Sequence, residues 1–93
     1  MNQDTVRSLW NAHKDDGWPH VEGQNEGPLM TLDTVISGCV VYFLDSPEGL
    51  DAQRINILKD CIADLDCLTD ELDEECRPYF QRLRHLGALL ITT

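Results

Sequence analysis

Basic residues are scarce in this sequence. Lys and Arg together number 7, against 17 Asp and Glu among 93 residues, which gives a formal net charge of −10 with histidine neutral. Nucleic acid and anionic membrane surfaces would repel such a chain, and the sequence has no cluster of basic side chains to reverse this. We therefore expect neither a nucleic-acid partner nor a membrane partner.

The sequence also lacks targeting and membrane-spanning signals. Residues 1–10 contain neither the basic start nor the apolar run that a secretion signal carries. The longest apolar stretch, 35–44, contains Ser37 and Gly38 and is well short of the roughly 20 residues that a helix needs to cross a bilayer. These absences predict a cytoplasmic protein.

Spacings typical of catalytic and metal sites do not occur either. His13, His20 and His85 are far apart in sequence, and none belongs to a pattern typical of a catalytic triad or a Cys–His pair. There is no Glu-x-x-His, no glycine-rich phosphate loop and no calcium-binding loop. The sequence predicts a protein that is not an enzyme and that has no cofactor and no metal. A metal-binding or enzymatic helical bundle is kept as an alternative.

The four cysteines do not have the spacing of a zinc site. No two of them are separated by the two-residue gap of a zinc knuckle. Cys39, Cys61 and Cys76 fall on the apolar faces of three predicted helices, where a thiol behaves as a small hydrophobic group. Cys67 falls off those faces, on the acidic side of its helix. In a reducing compartment, these positions predict free thiols.

The strongest positive signal is an amphipathic stretch over 50–72. Its apolar residues recur every three or four positions, which places them on one face of an α-helix. These residues are Leu50, Ile57, Leu58, Cys61, Leu65, Leu68 and Leu72. Asp51 is the expected N-cap, and Leu50 and Ile55 occupy the positions of a hydrophobic staple. A helix is therefore predicted over about 51–70.

The segment 29–45 is apolar around most of its circumference when it is drawn as a helix. One stripe consists of Leu29, Leu32, Ile36, Cys39 and Phe43. A helix that is apolar on nearly all sides is buried on nearly all sides, and a chain this short cannot wrap it completely. A dimer interface would cover the remainder. The competing interpretation is a buried strand over 35–44, because the stretch is rich in β-branched and aromatic residues.

The remaining segments complete a predicted all-α fold. A third stripe, which predicts a helix over about 75–91, consists of Tyr79, Phe80, Leu83, Leu86 and Leu90. Residues 1–27 are predicted to form a short helix capped by Asp4 and an irregular loop, which Trp18 and Val21 anchor across the other helices. Gly38 and Gly87 interrupt predicted helices, so we expect another backbone, of the same chain or of another, to approach closely at both. The whole chain, 1–93, is predicted to be a single domain, a small antiparallel bundle of three main helices plus the short one.

Two functional hypotheses involve protein–protein contacts. The first is a homodimer whose face is formed by Met30, Val40, Val41, Leu44, Tyr79 and Leu83. The second is an acidic inhibitor or immunity-type protein that binds a basic protein partner. Its interaction surface would be formed by Asp60, Asp64, Asp66, Asp70, Glu71, Asp73, Glu74 and Glu75. From the first of these carboxylates to the last there is no Lys or Arg.

Overall fold

A computed structural model describes residues 2–19, 21, 26–46, 48–72 and 74–92, and within these ranges the chain forms four helices and no strand. The helices are α1 (Asn2–Asp16), α2 (Glu26–Asp45), α3 (Ala52–Thr69) and α4 (Arg77–Thr92). The all-α prediction is confirmed. Residues 35–44 lie inside α2, so the strand alternative for this stretch is wrong.

The arrangement of three main helices and one short helix needs correction. α1 has 15 residues and is nearly as long as α4, which has 16. The difference arises because α1 begins before Asp4, which lies in its first turn and is not its N-cap. α1 also contributes to the core, where Val6 is completely buried and His13 is 4% exposed.

The start of α3 follows the predicted capping chemistry. The Asp51 side chain accepts a hydrogen bond from the backbone N–H of Arg54 at 2.9 Å, which satisfies one of the free donors of the first turn. The other carboxylate oxygen of Asp51 accepts from the Arg54 guanidinium, also at 2.9 Å. Gly49 precedes this cap with a φ of 84°, a left-handed conformation that favours glycine. The N-cap prediction at Asp51 is confirmed.

All four helices and the loop after α1 supply the core. Its completely buried large side chains are Phe80, Leu29, Ile36, Leu58, Leu65, Leu83, Leu86, Val6 and Val40. Val21 is buried, and Trp18 packs edge-on against Tyr79 and Phe80 with ring centroids 5.8 and 5.6 Å away, so the loop is anchored as predicted.

The four thiols are free and lie where the sequence pattern predicted. Cys39, Cys61 and Cys76 are buried, and Cys67 is exposed. Burial is the main cause that raises the pKa of the Cys39 and Cys61 thiols, because it disfavours the charged thiolate. These two side chains therefore act as small hydrophobic groups of the core.

Two details of the predicted packing are wrong, the burial of Ile57 and the close approach of a backbone at Gly87. Ile57 is 39% exposed and lies off the buried side of α3. A Cβ atom added to Gly38 would meet nothing within 4 Å, so the backbone expected near Gly38 does not come from the same chain, and its approach from another copy stays a prediction. At Gly87 the close neighbour is a side chain, because an added Cβ would lie 3.3 Å from Cδ1 of Ile62.

Candidate interaction surface on α2

The helix α2 is apolar on two opposite sides. By length and composition it is the one helix among the described residues that could span a membrane, although 33% of its most apolar window is buried in the fold and a core helix passes the same test. Six of its residues face the core. On the outward side, Met30 is 49% exposed, Val41 44% and Tyr42 39%. Exposed large apolar side chains at this density are typical of a contact surface.

We call this outward side the α2 face. It consists of Gly27, Met30, Thr31, Thr34, Val35, Gly38, Val41 and Tyr42. Four of its residues are small and exposed, and their spacing of four, three and four positions aligns them in one strip along the helix. These residues are Gly27, Thr31, Thr34 and Gly38. Because nothing lies within 4 Å of a Cβ built at Gly38, another helix could approach the backbone closely there.

The polar groups of the α2 face are satisfied within the helix itself. The Thr31 hydroxyl donates to the carbonyl of Gly27 at 3.2 Å, and the Thr34 hydroxyl donates to the carbonyl of Met30 at 2.9 Å. Removing water from this surface therefore leaves no threonine hydroxyl without a partner, and the usual penalty for burying a polar group is small. No charged residue occurs between Asp33 and Asp45. The α2 face is thus a neutral patch on a molecule of charge −10.

Two cavities follow the seam between α2 and α3, which run antiparallel. The first, which we call the Asp64 groove, has a volume of about 420 Å³ and is lined by Pro28, Thr31, Leu32, Asp64, Cys67 and Leu68. The second, the Tyr42 groove, has a volume of about 390 Å³, and its lining includes Thr34, Gly38, Tyr42, Arg54 and Ile57. The guanidinium of Arg54 lies 3.8 Å from the centroid of the Tyr42 ring, which holds that ring against α3.

The structure divides the predicted dimer face between the surface and the core. Met30 and Val41 are exposed and Leu44 is half-buried, whereas Val40, Tyr79 and Leu83 are buried in the single chain and cannot contact a second copy without unfolding. This part of the predicted face is corrected. The predicted dimer face also omits two exposed apolar residues, Tyr42 and Ile57. Tyr42 falls about a quarter turn from the core stripe on a helical projection, so the helical pattern alone does not show that it is exposed.

The predicted acidic surface is also divided. Its members in the described residues are all exposed, and Asp73 lies outside the described residues. Asp64 lines the groove toward α2, whereas Asp66 faces α4, where the Arg84 Nε donates to it at 2.5 Å. The carboxylates of α3 therefore belong to two different sides of the helix. On the side toward α2, Asp64 lines the same groove as Leu32 and Leu68.

One polar cluster lies inside the fold. The carboxylate of Asp33 lies 2.9 Å from Nε2 of His13 and accepts a hydrogen bond from the Tyr79 hydroxyl at 3.2 Å. Burial, and then the negative charge of Asp33, raise the pKa of Tyr79 well above its ordinary value of 10.0. His13 and Tyr79 are both shielded from solvent. The cluster ties α1, α2 and α4 together.

Comparisons with known proteins identify no relative. No family model matches the sequence, and neither a curated protein nor a solved structure matches it. Among the described residues, no group of three or more His, Cys, Asp or Glu side chains could hold a metal ion. The α2 face and the two grooves beside it are therefore the features on which a functional interpretation depends.

Proposed function

We propose that this protein is non-enzymatic and acts through protein–protein contacts as a homodimer, in which the α2 face of each copy packs against the α2 face of the other. The observation that supports the proposal is a neutral, apolar strip with internally bonded hydroxyls on a chain of charge −10. Half-exposed apolar side chains on one continuous helix face are what a second helix would bury.

Charge favours this face for contact between two copies. Like-charged molecules repel one another, so a surface for self-association has to be one that lacks charge. The α2 face carries no charged side chain from Thr34 to Leu44, whereas the exposed side of α3 carries a row of carboxylates. A two-fold dimer brings the same patch of both copies together, which a neutral apolar patch tolerates and an acidic patch does not.

The small residues set the contact geometry. The strip around Thr34 and Gly38 forms a shallow channel between Met30 and Val41 on one side and Tyr42 on the other. A second α2 helix that crosses at Gly38 can pack its own flanking side chains into this channel. Each fully buried side chain of this size contributes roughly 1.5–3 kcal/mol, and the symmetric dimer counts each one twice.

Sedimentation velocity over a concentration series tests the proposal with two matched variants. Val41→Glu places a charge in the α2 face, and Ala63→Glu adds the same charge at an exposed position of α3 away from it. We expect a dimer for the wild-type chain and for Ala63→Glu, and a monomer for Val41→Glu at the same concentrations. A wild-type chain that remains at the monomer mass of 10.6 kDa throughout would overturn the proposal, as would equal behaviour of the two variants.

A further inference from the structure

The Asp64 groove combines an apolar floor with a charged rim. Leu32 is buried at its base, and Pro28 and Leu68 form its walls. Asp64 and Cys67 are exposed along the α3 edge. A groove of about 420 Å³ is large enough to take one or two aliphatic side chains of a helix that lies along it.

The carboxylates on the groove side of α3 have no compensating base. Asp60 precedes Asp64 by one helical turn and lies on the same side of α3. Neither carboxylate pairs with a basic side chain in the part of the chain that the structure describes, whereas Asp66, on the opposite side, is paired with Arg84. The rim therefore presents two uncompensated negative charges spaced by one turn, directly beside apolar surface.

We infer that the Asp64 groove is a docking site for an amphipathic helix of a partner protein, one whose apolar side is flanked by Lys or Arg. The apolar residues of such a helix fill the groove as helix-in-groove partners do, and basic side chains one turn apart meet Asp60 and Asp64. The charge of −10 draws a basic partner toward the surface and speeds its association. A second copy of this acidic chain does not fit the rim, because its own carboxylates would be repelled there.

This inference goes beyond the homodimer and concerns a different surface. The Asp64 groove meets the α2 face at Thr31, which lies seven residues before Gly38. Thr31 is the residue that the two surfaces share, whereas Pro28 and Leu32, the other α2 residues of the groove, lie on the side of α2 toward α3 and are not part of the α2 face. The dimer and the docked helix can therefore coexist on one molecule.

The test uses a fluorescein-labelled helical peptide that carries leucine on one side and lysine on the other, and measures its binding by fluorescence polarisation. A peptide with glutamate in place of every lysine is the negative probe. Cys67→Arg places a positive charge on the rim, and Ala12→Arg places the same charge at an exposed position of α1, away from the groove. We expect Cys67→Arg to weaken binding of the basic peptide at least tenfold and Ala12→Arg to change it by less than twofold. Circular dichroism verifies that both variants are folded.

A second pair isolates the rim charge. Asp64→Asn and Asp15→Asn lose one negative charge each, from the groove and from α1 respectively. We expect about a threefold loss of peptide affinity from Asp64→Asn alone, in keeping with an exposed ion pair. If each groove variant and its control lost the same peptide affinity, the peptide would be attracted to the acidic protein in general, and the inference would be overturned. Repeating the titration on the Val41→Glu variant separates this result from the homodimer, because that variant leaves the groove intact.

Discussion

Asp33 is the residue at which α1, α2 and α4 are joined. Its carboxylate lies within hydrogen-bond distance of His13 Nε2 and of the Tyr79 hydroxyl. Replacement by asparagine removes the negative charge and turns one of the two oxygens into a donor, so that either His13 Nε2 or the Tyr79 hydroxyl loses its acceptor. We expect Asp33→Asn to lower the free energy of unfolding by about 1–3 kcal/mol. Urea denaturation at one fixed protein concentration measures this, because the proposed dimerisation would make apparent stability depend on concentration.

Asp60→Asn is the matched control for that substitution. It makes the same change of charge at an exposed position that has no partner among the described residues, where substitutions usually change stability by less than about 0.5 kcal/mol. Equal losses from the two variants would mean that Asp33 contributes through net charge alone. The hydrogen bonds of the buried cluster would then not stabilise the fold.

The raised pKa of Tyr79 predicts that the folded protein loses stability at alkaline pH. The pKa of Tyr79 is raised above the ordinary 10.0 by burial and by Asp33, so in the folded protein Tyr79 keeps its proton where the tyrosine of the unfolded chain has lost it. Above about pH 10 the folded state therefore binds one more proton, and stability falls by up to about 1.4 kcal/mol for each pH unit. Below pH 10 both states are protonated and this contribution is constant.

Tyr79→Phe removes this titration. We expect the variant to be less stable near neutral pH, because it lacks the hydrogen bond to Asp33, and to lose stability less steeply above pH 10. Urea denaturation at several alkaline pH values gives both quantities. Parallel curves for the wild-type chain and the variant would show that Tyr79 ionises equally in the folded and unfolded states.

At the scale of single residues, the sequence predicts what depends on near neighbours. The Asp51 cap and the burial of Cys39 follow from residues within one or two helical turns. The bond between His13 and Asp33 joins positions 20 apart, and that between Tyr79 and Asp33 joins positions 46 apart. No local pattern encodes such pairs, so the buried cluster could not be predicted.

At the scale of helices, bounds were more predictable than orientation. α2 spans 26–45 and α3 spans 52–69, close to the predicted 29–45 and 51–70, because caps and turns determine helix ends locally. Which side of α2 faces the core was harder to predict. Val40 is completely buried and Val41 is 44% exposed, although they are identical neighbours in an apolar run. Contacts with the other helices, and not hydrophobicity, separate them.

Gly38 offers a substitution with opposite effects on folding and on association. In the single chain an added Cβ would meet nothing within 4 Å, so Gly38→Ala should stabilise α2 by up to about 1 kcal/mol. In the proposed dimer the same methyl group lies at the helix crossing and pushes the two backbones apart. We expect a higher free energy of unfolding for the monomer and a larger dissociation constant for the dimer, from urea denaturation at low concentration and from sedimentation.

Gly87→Ala is the contrasting variant on α4. Its Cβ would lie 3.3 Å from Cδ1 of Ile62, so the Ile62 side chain must shift and the gain in helix propensity is offset. We expect no stabilisation and no change in dimerisation, because Gly87 is buried within the chain. Tighter association of Gly38→Ala would contradict a crossing at Gly38.

At the scale of the whole molecule, charge distinguishes the two proposed contacts. The chain carries −10, so a dimer carries twice that and its two halves repel each other beyond the contact itself. The docked basic helix instead gains from attraction to Asp60 and Asp64. Net charge follows directly from composition, whereas the separation of a neutral face from acidic ones depends on how the helices pack.

Sodium chloride should therefore change the two contacts in opposite directions. The Debye length falls from about 10 Å at 0.1 M salt to about 3 Å at 1 M, which screens repulsion between copies and attraction to the peptide alike. We expect the dimer dissociation constant to decrease with salt in sedimentation and the peptide dissociation constant to increase in fluorescence polarisation. Chloride is preferred to sulfate, which would strengthen apolar burial in both. A dimer that weakens as salt rises would be held by ion pairs, and the neutral α2 face would then not be its interface.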